Sequence, residues 1–405
     1  MHRLVSYILI SVLMVSCSID SNESGEHKVA PLVLDKIVPD YGLPGTEITI
    51  KGNNFSTNPD ENKVTFGDIE VPVISATSIE LKVIAPEHKP GDVPVVITTR
   101  GQSVKGDFYF LRSTASEEGI TYPQTDVGKV LKSSACPKIY NVMWDTTYNV
   151  TTGLDYYQMH ITTDAGEKQH IYLIKTDPSK GLDIKVVLPS TTTSSTWKKQ
   201  TLTVMAGNMD SSSKPLYAMI NGDFWQMTSP INPRGPVHCG GTIKSSKWDY
   251  DPKVSQQALS YVAVTKEGKM TIAPRDNYNS VMNTLQECTG AGIVMVLNGQ
   301  IQDVATLTMR DPRTAIGHTL DNIVWMLTVD GRHGTLGMTY YEMASIFHGL
   351  GCVAAANLDG GGSAQMLVKN PKTGKKVICN HPSDPTNGAG GQERAVINGW
   401  AIVKR

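Results

Sequence analysis

The residues with chemistry to offer stand at the polar ends of apolar runs. They are Asn221, Asp223, Arg313, Thr314, Asp330, Arg332, Asp359, Ser363, Glu393 and Arg394. Guanidinium groups offer a planar fork that grips phosphate through two parallel hydrogen bonds, which lysine does not do. Asp and Asn exchange hydrogen bonds with hydroxyls, and paired carboxylates are the usual apparatus of glycoside cleavage. Together the set suits a ligand carrying both an anion and sugar hydroxyls. Taken singly, each residue has an ordinary structural reading. Arg313 could be a strand-edge ion pair, Asp330-Gly331 a turn, and Glu393-Arg394 a surface pair.

One stretch organises the others: Asn357-Leu358-Asp359-Gly360-Gly361-Gly362-Ser363-Ala364. Each glycine gives up roughly 0.5–1 kcal/mol against alanine through chain entropy. A fold accepts that where backbone must approach something closely or adopt positive φ. Asp359 and Ser363 would then flank a bare loop whose N–H groups can meet an anion. Competing motifs are absent. There is no HExxH, no Walker A and no GxGxxG, and Gly360-Gly361-Gly362-Ser363 lacks the lysine of a phosphate loop. The GxSxG spacing of a nucleophile elbow is missing as well. His318, His333 and His381 could form a metal site only by converging from three separate segments. No cofactor is expected, and a divalent metal is left open.

The elements that must position these groups are mostly strands. Tyr217 to Ile220 leads to Asn221-Gly222-Asp223-Phe224-Trp225, and Ile293 to Leu297 to a hairpin turn at Asn298-Gly299. Ile323 to Val329 leads to Asp330-Gly331-Arg332, and Val353 to Ala356 to the glycine loop. If these ends cluster, the functional groups share one rim of a sheet. Earlier alternating stretches (Tyr156 to Ile161, His170 to Ile174, Leu182 to Leu188) read as further strands, and Thr191 to Thr196 as an exposed Thr/Ser loop. The clearest helix starts at Thr339-Tyr340-Tyr341-Glu342, a capping box. Met343, Ile346, Phe347 and Leu350 follow at helical spacing, so this helix packs on the sheet, with Glu342 as cap and His348 at the surface. Glu393 to Val403 reads as a final strand entered from a charged pair, after a Pro/Gly/Asn loop from His381 to Gly391.

The chain has 405 residues, a net charge of −1 and 40% hydrophobic residues, which fits two domains and no nucleic-acid partner. Arg3, the apolar Leu4 to Val15 and Leu13-Met14-Val15-Ser16-Cys17 have the layout of a secretory signal ending in a bacterial lipobox. Residues 1–16 are the expected signal peptide, Cys17 the lipidated residue and 17–30 a polar tether. The expected location is the bacterial cell envelope, lipid-anchored at the outer membrane and facing periplasm or surface. Export permits disulfides, but Cys136, Cys239, Cys288, Cys352 and Cys379 are odd in number, and no CxxC suggests a structural zinc. Residues 31–112 alternate with turn signals every 8–12 positions, as a β-sandwich does. Residues 113–135 read as a linker and 136–405 as a second domain.

Two resemblances follow from these motifs. Pro39, Gly45, Ile48, Ile50, Gly52, Asn54 and Phe55 resemble the immunoglobulin-like IPT/TIG module, which implies a spacer or a contact surface for a protein or glycan partner. Five stretches in order are similar to the phosphodiester glycosidase family: Asn221-Gly222-Asp223-Phe224-Trp225, Pro312-Arg313-Thr314-Ala315-Ile316-Gly317, Val329-Asp330-Gly331-Arg332, Asn357 to Ala364, and Glu393-Arg394-Ala395-Val396. The family often has Asn-Gly-Gly-Phe-Phe where this chain has Asp223 and Trp225. The expected architecture is an all-β immunoglobulin-like sandwich followed by an α+β catalytic domain with a mixed, mostly β sheet core and few helices.

The resemblance implies hydrolysis between a sugar's anomeric carbon and a phosphodiester, with α-N-acetylglucosamine-1-phosphodiester one candidate substrate. Asp359 and Asp330 are the expected catalytic carboxylates, with Glu393 in reserve as acid/base or as an arginine's partner. If both aspartates face one anomeric carbon, a separation of ~5–5.5 Å would favour a covalent intermediate and ~6.5–9.5 Å direct water attack. Arg313, with Arg332 or Arg394, would hold phosphate oxygens, the glycine-loop amides after Asp359 sharing that charge, and Asn221 and Asp223 would hold sugar hydroxyls. Gly222, Thr314, Gly360, Gly361, Gly362 and Ser363 complete the expected substrate-binding set. The alternatives are a non-catalytic cell-surface lipoprotein that binds glycan or sugar phosphate, and a metal-dependent phosphoesterase.

Overall fold

A computed structural model describes residues 30–89, 91–110, 122–193, 196–333, 335–385 and 390–405. The expected signal peptide, the lipidation site Cys17, most of the tether and the first part of the linker lie outside the described residues.

The first domain is a two-sheet sandwich. Val33–Val38, Glu47–Asn53, Glu80–Ile84 and Val73–Ala76 make one sheet; Tyr41–Gly42, Gln102–Phe110, Gly91–Thr99, Asn62–Phe66 and Ile69–Val71 make the other. Alternation sends Ile48 and Ile50 inward, both fully buried, against Val64, Val95, Ile97 and Phe108 of the facing sheet.

The second domain is β-rich, with three sheets whose strands pair antiparallel and four helices among the described residues. An eight-stranded sheet runs in the order Ile139–Thr151, Leu154–Thr163, Lys168–Thr176, Val324–Val329, Arg313–Thr319, Cys352–Asn357, Val294–Leu297, Gln300–Ile301. Two five-stranded sheets pack with it around one core, where Ile316, Met326 and Ala356 meet Ile184, Ala218, Met366 and Trp400 of one and Val262 and Ile272 of the other. Helices cover the outer faces. Tyr340–Gly349 has the full capping box, Thr339 accepting from the Glu342 amide and Glu342 accepting from the Thr339 amide. Its Met343, Ile346 and Phe347 bury against Ala315, Leu327 and Val329. Residues 126–131, read as linker from sequence, form the helix Asp126–Leu131, whose Val127 and Leu131 join the same core. The turn Asn298-Gly299 has positive φ at both residues, 50° and 73°, as the hairpin requires.

Register positions the site. Arg313 pairs with Val329 and Ala315 with Asn357, so the strand ends before Asp330, at Arg313 and after Asn357 lie side by side. Side chains alternate between faces. Ala315, Leu327 and Val329 face the helix Tyr340–Gly349, and Ile316, Val324 and Met326 face the central core. Arg313 therefore belongs to the helix side and Asp330 to the core side.

Candidate active site

Beyond Asn357 the chain keeps running beside Arg313–Thr319. Leu358 donates its amide to the Thr314 carbonyl at 2.8 Å, and Gly361 donates to the Pro312 carbonyl at 2.8 Å. The glycine loop is thereby fastened to the start of the Arg313 strand. Gly361 takes φ +60°, and a Cβ on Gly362 would fall 2.2 Å from Arg394 Nη2 and 2.3 Å from Asp384 Oδ1. A Cβ on Gly360 would fall 2.7 Å from the Pro312 carbonyl oxygen. Backbone crowding at Gly360 and positive φ at Gly361 therefore call for glycine, while at Gly362 a side chain would displace the Arg394–Asp384 pair.

The loop, Asp359, Arg313, Arg332 and Arg394 line one pocket of about 380 Å³, completed by Phe224, Asp311, Tyr340 and the segment 253–257. Asp359 is half-buried here. Its amide donates to the Gly222 carbonyl at 3.0 Å and its carboxyl accepts from the Gly360 amide at 3.0 Å. Burial pushes that carboxyl up to about 6, against the Ser363 hydroxyl, the Arg394 charge and the Gly360 amide.

The three arginines are held differently. Arg313 is 7% exposed; its Nε donates to the Met338 carbonyl at 3.1 Å, Nη1 to the Tyr340 hydroxyl at 2.9 Å and Nη2 to the Met309 carbonyl at 2.9 Å. It also lies over the Tyr340 ring, 4.3 Å from its centroid. Arg332, at φ 72°, donates to Asp311 Oδ1 at 3.0 Å. Arg394 forms a two-pronged pair with Asp384 at 2.5 and 2.6 Å. Asp311 also lies 3.7 Å from Arg313, so one carboxylate steadies two guanidinium groups of the pocket.

The other expected site residues support the pocket or lie away from it. Asn221 is fully buried and spent on scaffolding: its Oδ1 accepts from Thr314 Oγ1 at 2.7 Å and from the Gln365 amide at 3.1 Å, and its Nδ2 donates to the Asp359 carbonyl at 2.6 Å. The expectation that Asn221 and Thr314 touch substrate is thus corrected; they tie three strand ends together. Gly222 contributes backbone, donating to the Asn398 carbonyl at 3.0 Å. Asp223, 1% exposed, does not line the pocket; its Oδ2 accepts from the Gly235 amide at 2.8 Å. Burial pushes its carboxyl up to about 8, against the Gly235 and Phe224 amides.

Asp330 is not a partner of Asp359 across the pocket. Strand alternation turns it to the other face, where it accepts from the Tyr172 hydroxyl at 2.9 Å, Asn380 Nδ2 at 3.2 Å and the His381 amide at 2.9 Å. Burial pushes it up to about 6, opposed by the charge and amide of His381 and by Tyr172 and Asn380. Glu393 is likewise elsewhere. It accepts from the amide of Thr203 at 3.1 Å and from its hydroxyl, in the first turn of the helix Leu202–Met209, where a negative charge is favourable. The residues around it are irregular, and the final strand begins only at Gly399–Lys404. Among the described residues no three His, Cys, Asp or Glu side chains are close enough to hold a metal ion, and Cys136, Cys239, Cys288, Cys352 and Cys379 are all free thiols.

Sequence reasoning missed Asp311, Tyr340 and the 253–257 wall. Asp311 stands two residues before Arg313, which was a usable signal. Tyr340 reads only as the first residue of a packing helix. The 253–257 segment carries no motif.

Fold and site define a β-rich domain with a carboxylate-floored, guanidinium-walled pocket behind an immunoglobulin-like sandwich. Residues 215–403 match the family model described as phosphodiester glycosidase, and residues 32–111 that of the IPT/TIG domain. A curated relative, the SPbeta prophage-derived uncharacterized protein YomE of Bacillus subtilis (strain 168), is 40% identical over 104 residues. That stretch is 25% of this chain and only 14% of the relative's length. Among solved structures, the zebrafish N-acetylglucosamine-1-phosphodiester alpha-N-acetylglucosaminidase catalytic domain, auto-inhibited by its pro-peptide, aligns with a TM-score of 0.49 at 16% identity, over 72% of this chain and 96% of that one. A hypothetical protein from Synechocystis aligns at 0.48 and 14% identity, over 93% and 81%.

Proposed function

We propose that the chain hydrolyses the bond between a sugar's anomeric carbon and a phosphodiester. The observation that carries this reading is the convergence of Asp359, the bare glycine loop and three guanidinium groups on one pocket. A phosphodiester-type leaving group departs as a weak base, so protonation matters less here than for an alkyl glycoside. The pocket's task is then charge: Arg313, Arg332 and Arg394 hold phosphate oxygens through departure, when their negative charge grows. Asp359 is the carboxylate that meets the anomeric carbon, as nucleophile or through an activated water. Asp311 keeps two guanidinium groups aimed inward, and Asn221, Thr314 and Gly222 fix the height of Asp359. In this reading a lipid anchor at Cys17 holds the enzyme at the bacterial outer membrane, where glycan phosphodiesters are within reach.

The test is sugar release from UDP-N-acetylglucosamine or another sugar-1-phosphodiester by wild type, Asp359→Asn and Arg313→Ala. Loss of the Arg313 guanidinium is expected to lower kcat/KM by about 10²–10³, the scale of one removed charge-stabilising donor. Variants that release sugar as fast as wild type refute the assignment. Tight sugar-phosphate binding with no product in wild type would make the chain a surface glycan-binding protein instead.

A further inference from the structure

A second cavity, larger than the first at about 650 Å³, is formed by Trp197 and the segments 226–233 and 243–249. Its lining includes two tryptophans, Trp197 and Trp248, two lysines, Lys244 and Lys247, and two side-chain amides, Gln226 and Asn232. Both tryptophans are half-buried, with their bodies packed on neighbouring cores. Trp248 is set edge-on to Tyr278 at 5.7 Å. The rings are thus anchored rather than loose on the surface. Asp249, the acid of this wall, is already engaged by Arg234 at 2.8 Å. Neither Lys244 nor Lys247 forms an ion pair among the described residues. The cavity's uncompensated charge is therefore positive. Asn232 donates to Gln226 Oε1 at 3.1 Å, which leaves the Gln226 amide N–H groups to a ligand.

The two cavities have no lining residue in common, but one segment contributes to both. Phe224 lines the first and Gln226 the second, two residues along an extended segment that Arg234 and Asn232 hold in place: the Arg234 amide donates to the Phe224 carbonyl and the Gln226 amide to the Asn232 carbonyl, both at 2.9 Å. Two residues of extended chain span roughly 7 Å, about one sugar ring.

We infer that this second cavity binds the continuing chain of an anionic glycan whose terminal residue occupies the first. Anchored aromatic faces suit the apolar faces of pyranose rings, amides suit their hydroxyls, and the two lysines suit phosphates spaced along the chain. The inference rests on the proposed reading of the first pocket and specifies its substrate as polymeric glycosyl phosphate rather than a small nucleotide sugar.

Binding to full-length protein, followed by tryptophan fluorescence and calorimetry, separates the two ideas. The probes are poly(N-acetylglucosamine 1-phosphate), neutral chitohexaose, inorganic polyphosphate and UDP-N-acetylglucosamine. Wild type is expected to bind the glycosyl-phosphate polymer at least about tenfold more tightly than either single-feature probe. Trp248→Ala and the double variant Lys244→Ala/Lys247→Ala should each weaken polymer binding about tenfold, the lysine effect shrinking as salt rises. Their sugar release from UDP-N-acetylglucosamine should stay within about twofold of wild type. Thermal melting of each variant checks that it folds, and Lys244→Arg/Lys247→Arg, which keeps the charge, should restore binding. Polymer affinity unchanged in both variants, no binding by wild type, or polyphosphate binding as tightly as the polymer would each overturn the inference. Polymer binding that depends on these residues in a protein that releases no sugar would uphold it while refuting the hydrolytic reading.

Discussion

Asp359 and Asp330 form a natural comparison. Both follow buried strands at the same end of one sheet, both are followed by glycine, and burial raises both carboxyls to about 6. One lines an open pocket among three arginines; the other is 3% exposed and accepts from Tyr172, Asn380 and the His381 amide. The difference comes from parity. Side chains alternate along strands, so a residue's face is set by its register with its neighbours. A raised pKa marks burial in both places and does not by itself mark catalysis. What separates the two is space for a ligand and the three guanidinium groups that line it.

The sharpest break of the comparison is the pair Asp359→Asn and Asp330→Asn. The first is expected to lower kcat by about a thousandfold or more, the scale of a lost acid/base group, with little change in melting temperature. The second should leave kcat within about tenfold but cost about 1–3 kcal/mol, since a buried acceptor of several donors is disturbed. Equal kinetic losses in both variants would dissolve the distinction drawn here.

The pH profile sharpens it next. Asp359 must be ionised to meet the anomeric carbon, so log kcat/KM should rise with pH through a midpoint near 6 and then level off. A profile that falls through the same range would make Asp359 an acid.

A smaller effect concerns Asp223. Its carboxyl is held up to about 8 in the folded chain, whereas an aspartate in an unfolded chain titrates near about 3.9. The folded state thus binds this proton more tightly, and the stability it supplies is complete below about pH 4 and lost as pH rises through about 8. Asp223→Asn should escape that loss. Its melting temperature relative to wild type should improve from pH 5 to about pH 8 and then level off, and a constant offset would contradict the assignment.

Glu393→Gln is expected to do least. It weakens a charge at a helix N-terminus, worth about 0.3–1 kcal/mol, and should leave sugar release within about twofold. A large kinetic loss would return Glu393 to the site.

Much of this was legible before any coordinates. The alternation around Ile48 and Ile50, the Thr339–Glu342 box and the Asn298-Gly299 turn are local signals, and each formed the element its chemistry favours. The convergence of the glycine loop with Arg313 was readable because motif and strand end coincide in each segment. The faces of Asp330 and Glu393 were not readable, since register between distant strands and the docking of a loop on the helix Leu202–Met209 are tertiary facts. Asn221 illustrates the same limit: its residue type suits a ligand contact and an internal brace equally, and only its neighbours Thr314, Gln365 and Asp359 decide. The 113–135 stretch looked like linker because the helix Asp126–Leu131 is too short to show a period.

The most direct test of the central claim follows the bond that breaks. UDP-N-acetylglucosamine is hydrolysed in ¹⁸O-labelled water by wild type and by Asp359→Asn, and the UDP formed is read by mass spectrometry. Attack at the anomeric carbon by the Asp359 pocket predicts UDP free of label from wild type and almost no product from the variant. Label in the phosphate, or undiminished product from Asp359→Asn, would contradict it.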